Sequence, residues 1–157
     1  MNRQRLFEII SIAVLIVFIA VMSFEPTYSE KTVDEVAETV TKSFDVSELK
    51  QIKKNQIIED FDIDFSQVDS FVYYASDSIM NVDELMLLKI KEDATDDEIE
   101  EKIEKRVSEK QVLFEGYAPE QSALLKEYVL YSGNGFIFYA VGENASEAFS
   151  AFKSSVR

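Results

Sequence analysis

The 157-residue chain has no Cys, no His and no Trp, only 4 Gly and 2 Pro, and far fewer basic than acidic residues. Each absence removes a class of chemistry. Without Cys or His there is no Cys-His or Ser-His-Asp nucleophile, no thiolate redox couple, and no zinc site of the usual nitrogen or sulfur kind. A lipid-modified cysteine anchor is excluded for the same reason. Low Gly and Pro content beside 46% hydrophobic and 12% aromatic residues excludes a collagenous, low-complexity or wholly disordered protein. The 30 acidic and 16 basic residues give a net charge of -14. That charge repels a phosphate backbone, so nucleic acid is not an expected partner.

What is present begins with an apolar run from Ile9 to Phe24 that carries no charge and only Ser11 and Ser23 as polar members. As a helix the run spans about 24 Å. A hydrocarbon core of about 30 Å is crossed once Leu6 and Phe7 are added, with Glu8 near the interface. Arg3 and Arg5 precede the run and Glu25 and Glu30 follow it, an asymmetry that keeps the amino end in the cytoplasm. The expected organisation is a cytoplasmic tip and transmembrane signal-anchor helix over residues 1–24, a spacer over 25–31, and an extracytoplasmic domain over 32–157. A cleaved secretory signal is the competing reading. It lacks an A-x-A site, the nearest substitute being Val21-Met22-Ser23.

In the domain, Thr32 and Glu35 have the spacing of a capping box, and Val33, Val36, Ala37, Val40 and Phe44 follow at helical intervals. Leu49 and Ile52, then Ile57, Ile58 and Phe61, predict two shorter helical turns. Phe71 to Ala75 and Leu85 to Lys91 read as strands. Thr95 and Glu98 repeat the capping-box spacing and open a long helix with Ile99, Ile103, Val107 and Phe114 on one side. Tyr128 to Tyr131 and Phe136 to Val141 flank Asn134-Gly135, a strong hairpin signal, and Asn144 caps a last helix. The order ααα-ββ-α-ββ-α predicts an α+β layered sandwich on a mostly antiparallel four-stranded sheet, following the transmembrane helix.

Several short motifs in this order carry a family resemblance. They are Phe61-Asp62-Ile63-Asp64, Val68 followed by Phe71-Val72-Tyr73-Tyr74-Ala75-Ser76, Phe114-Glu115-Gly116-Tyr117, and Gly133-Asn134 before an apolar strand. From about Val33 to the C-terminus the chain resembles the bacterial exported family catalogued as domain of unknown function 4358. The resemblance implies a Gram-positive exported protein and brings no assigned activity. Many relatives carry a lipobox cysteine; this chain has none and would rely on its apolar helix.

Three constellations invite chemistry. Asp60, Asp62 and Asp64 stand at the first three ligand positions of a calcium loop, making them the metal candidates. The pattern then fails, because Phe65 replaces the turn glycine and Phe71 the bidentate glutamate. Glu92 to Glu104 is strongly acidic, which suits a basic wall component. It also suits a solvated helix with acids at its positive end and Glu98-Lys102 and Glu101-Lys105 pairs. The aromatics Phe71, Tyr73, Tyr74, Tyr131, Phe138 and Tyr139 point to both sides of a sheet, which reads as core beneath helices and alternatively as an open stacking face.

No catalytic residue and no cofactor emerge from these patterns. The function expected is a non-enzymatic, membrane-anchored extracytoplasmic module that contacts the bilayer through its N-terminal helix and binds an envelope protein or wall component. A carboxylate-dependent enzyme acting on cell-wall glycans and a secreted binding module after signal cleavage are the alternatives.

Overall fold

Strand burial sets the architecture. In the computed structural model, which describes residues 11–15 and 28–157, every residue of Glu84–Ile90 and of Phe136–Val141 is buried. Side chains alternate between the two faces of a strand, so a strand buried throughout needs cover on both. Helices supply that cover.

The elements run α1 (Val33–Val40), β1 (Lys50–Gln51), α2 (Lys54–Phe61), β2 (Val68–Ala75), β3 (Glu84–Ile90), α3 (Asp97–Glu115), α4 (Pro119–Lys126), β4 (Val129–Gly133), β5 (Phe136–Val141) and α5 (Ala145–Ser155). The strands form one sheet in the order β1-β2-β3-β5-β4, and every neighbouring pair is antiparallel. The fold is therefore α+β with a five-stranded sheet. On one face Met86, Leu88, Ile90, Tyr73, Ile137 and Tyr139 meet Ile57 and Phe61 of α2, Ile99, Ile103 and Val107 of α3, and Leu125 of α4. On the other, Leu85, Leu87, Val72, Phe136 and Phe138 meet Val33, Val36 and Val40 of α1 and Ala148 and Phe152 of α5.

Several expectations hold in detail. The Thr32 and Glu35 capping box forms, with the Glu35 amide donating to Thr32 Oγ1 at 3.3 Å and the Thr32 amide to Glu35 Oε2 at 2.9 Å. Asn134 and Gly135 take φ of 58° and 76°, the pair of positive values that a two-residue hairpin turn with matching twist requires.

Other expectations need correction. The sheet has five strands, not four, because Lys50–Gln51, between Leu49 and Ile52, is an edge strand rather than part of a helical turn. Leu49 packs towards the α1/α5 cluster and Ile52 towards the α2/α3 cluster. A three-residue spacing reads as one helical face, but in a strand it places two residues on opposite faces. α4 was not anticipated; Pro119 at its first turn is the sequence signal that marks it. The capping box at Thr95 does not form. Asp96 is the N-cap without a side-chain cap, and its carboxylate instead accepts from the Ser132 hydroxyl on β4. Asn144 likewise caps α5 without a side-chain hydrogen bond.

The anchor expected over residues 1–24 and the spacer residues 25–27 lie outside the described residues, apart from 11–15. These five are helical, and Ile12, Val14 and Leu15 are exposed. Among the described residues no helix is long and apolar enough to cross a membrane.

Candidate functional site

β3 begins with a carboxylate in the core. Glu84 is 3% exposed and would be costly to bury alone. It is not alone. Arg106 donates through both terminal nitrogens, Nη1 to Oε2 and Nη2 to Oε1, each at 2.9 Å. Lys110 donates to Oε1 at 2.9 Å, and the Tyr139 hydroxyl to Oε2 at 2.7 Å. The guanidinium also lies over the Phe61 ring, 4.2 Å from its centroid. Bidentate pairing and four donors satisfy the carboxylate from both sides.

The electrostatics follow. Burial pushes the Glu84 pKa up, but the charges and hydrogen bonds of Arg106 and Lys110 outweigh it and hold the group at about 2. Arg106 is desolvated too, yet Glu84 raises its pKa above the usual guanidinium value. Tyr73 and Tyr139 are both raised well above the ordinary phenol, first by burial and then by the Glu84 charge. Among the described residues the Tyr73 hydroxyl, buried beside this cluster, has no partner in hydrogen-bonding geometry.

Glu84, Arg106, Lys110 and Tyr73 form the floor of a cleft of about 370 Å³. Its walls are α2 through Gln56 and Asp60, the end of β2 through Tyr73 and Ala75, loop 76–81, and the second half of α3 through Leu113 and Phe114. Gln121 of α4 secures the loop, its Oε1 accepting from the Val82 amide at 2.9 Å. Ile79, Leu113 and Tyr117 stand at the rim, exposed by 86%, 65% and 56%.

The metal candidates separate. Asp60 lines the cleft, and burial raises its pKa against the lowering effect of Arg106. Asp62 is the left-handed C-cap of α2, with φ 56°, and pairs with Lys102. Asp64 accepts from the Ser66 amide at 2.8 Å and its hydroxyl at 2.6 Å. Among the described residues no group of three or more Asp, Glu, His or Cys is placed to hold a metal ion.

Along α3 the expected Glu98-Lys102 and Glu101-Lys105 pairs are replaced by Lys102 to Asp62 and Lys105 to Glu109, while Arg106 and Lys110 turn inward to Glu84. Of the sheet aromatics, Tyr73, Phe138 and Tyr139 are fully buried, as the core reading required. Sequence reasoning missed Glu84, Arg106 and Lys110. Their signal was positional: Arg106 and Lys110 fall in the same helical stripe as Ile103, Val107 and Phe114. A cation there implies a buried anion opposite.

Neither a curated protein nor a solved structure matches the chain. The family described as domain of unknown function (DUF4358) matches residues 42–142, a span that contains α2, β1 to β5, α3 and α4 and every residue of the cleft. With more than half of its length so matched, the chain belongs to the DUF4358 family.

Proposed function

We propose that this protein is a membrane-anchored extracytoplasmic binding module whose cleft seats an apolar, basically flanked segment of another envelope protein. The observation that carries this reading is the convergence of Ile79, Leu113 and Tyr117 on one concavity. Exposed hydrophobics scattered singly are ordinary, but three around a single cleft form an anchor site of the kind that dominates interface energetics. Asp60 in the cleft wall and the net charge of -14 favour a cationic flank on the partner.

The ion cluster favours binding over proton transfer. A general acid or base works best with a pKa near the operating pH, whereas Glu84 is held at about 2 and Arg106 stays charged. Such a floor is a fixed scaffold. The apolar, uncharged run Ile9 to Phe24, with Ile12, Val14 and Leu15 left uncovered by the domain, supports a lipid anchor. Tethering raises the local concentration of the cleft at the membrane.

Site-specific photocrosslinking in intact cells tests the binding role. A crosslinker at Leu113 is expected to capture a discrete protein, with loss of the adduct in Ile79→Asp. The same crosslinker at Glu38, an exposed position on α1, is expected not to capture it. Identical adducts from both positions, or none from Leu113, would remove the proposal.

A further inference from the structure

Lys89 is a buried cation with no carboxylate in contact among the described residues. Its ammonium donates to the backbone carbonyls of Ser29 and Lys31, the latter at 2.9 Å. It lies between two rings, 4.4 Å from the centroid of Tyr28 and 4.5 Å from that of Phe136. Three more bonds hold the same segment or the turn against it. The Tyr28 hydroxyl donates to the Ile90 carbonyl at 2.7 Å, the Ser29 amide to the Asn134 carbonyl at 2.9 Å, and the Ile90 amide to the Gly135 carbonyl at 2.9 Å. Gly135 completes the fit, because a Cβ there would come within 2.5 Å of the Tyr28 ring.

We infer that residues 28–31 are a clasp, not a free spacer, and that it holds the Ile90 end of β3 towards the bilayer with the cleft at the outward end. The inference rests on the anchor reading above. From Phe24 to Tyr28 an extended chain reaches about 14 Å, whereas a tether free as far as Val33 would reach about 31 Å. Fastening Tyr28 and Ser29 to the sheet therefore removes more than half of the reach. Glu84 lies at the far end of the same strand, about 20 Å away at 3.3 Å per residue. Lys31 and Arg157 share a surface depression with Tyr28, although Glu30 and Glu35 line it too. Elsewhere the acidic body is repelled by anionic headgroups, which favours standing off the membrane over lying flat on it.

The absence of native Cys permits a clean test with single labels on the full chain. Glu92→Cys, near the Ile90 end, and Met80→Cys, near the cleft, each carry a donor dye in vesicles of phosphatidylcholine and phosphatidylglycerol with a headgroup-attached acceptor. Both positions are exposed. Energy transfer from position 92 is expected to exceed that from position 80 several-fold. A flexible ten-residue insertion after Thr27 is expected to abolish the difference, and Lys89→Met to narrow it. Protein that floats with the vesicles but transfers equally from both positions overturns the clasp orientation alone. Failure to float overturns the anchor reading, and this inference with it.

Discussion

Glu84 and Lys89 stand near opposite ends of β3, point to opposite faces of the sheet, and are buried by opposite strategies. Glu84 is neutralised by two cations and a phenol. Lys89 is held by carbonyl oxygens and two aromatic rings. One marks the floor of the cleft and the other fastens residues 28–31.

Removing the Glu84 charge should cost more than removing its hydroxyl donor. Glu84→Gln leaves Arg106 and Lys110 buried without an anion, a change of about 3–5 kcal/mol. Tyr139→Phe deletes one charge-assisted hydrogen bond and should cost about 1.5–3 kcal/mol. Urea unfolding followed by circular dichroism measures both, and equal losses would contradict this account of the cluster.

The same carboxylate sets an acid limit. In an unfolded chain Glu titrates at about 4.3, and in the folded protein Glu84 is held at about 2. A depressed carboxylate contributes stability above its unfolded pKa and loses it as pH falls through the folded value. About 3 kcal/mol should therefore disappear between about pH 4 and pH 2. Asp60 and Asp83, raised by burial, act in the opposite sense by taking up protons earlier in the folded state. Denaturation midpoints across that window, compared with Glu84→Gln, isolate the contribution: the variant should lack the Glu84 component of the slope.

Gly135→Ala should release the clasp without touching the cleft. The substitution places a side chain at φ 76°, a strain of about 1–2 kcal/mol, and drives a Cβ into the Tyr28 ring. Faster hydrogen exchange at the Ser29 amide, with unchanged protection in α3, is the expected signature.

Calcium should leave the melting temperature unchanged. Asp60, Asp62 and Asp64 face the cleft, Lys102 and Ser66 respectively, so one ion cannot collect all three without breaking these contacts. A rise in melting temperature in millimolar calcium, abolished by Asp62→Asn, would reinstate the metal reading.

Much of the fold was legible where local signals suffice. The Thr32 and Glu35 box, the Asn134-Gly135 turn and the apolar stripe of α3 each depend on residues close in sequence. β1 was not legible, because two residues gain strand geometry only by pairing with Tyr74 and Ala75. The Thr95 box failed for a related reason: Asp96, next to it, found a partner on β4 in Ser132.

The candidate site was less legible still, since Glu84, Arg106 and Tyr139 are distant in sequence and each resembles an ordinary surface or core residue in isolation. By itself the sequence determined the excluded chemistries, the acidic balance, the apolar N-terminal run and the family, because composition and local spacing carry these directly. Only the tertiary structure decided which of the many charged side chains go inside. Burying a charge is favourable only when its partners arrive together, and that assembly is a property of the packed sheet and helices rather than of any one segment.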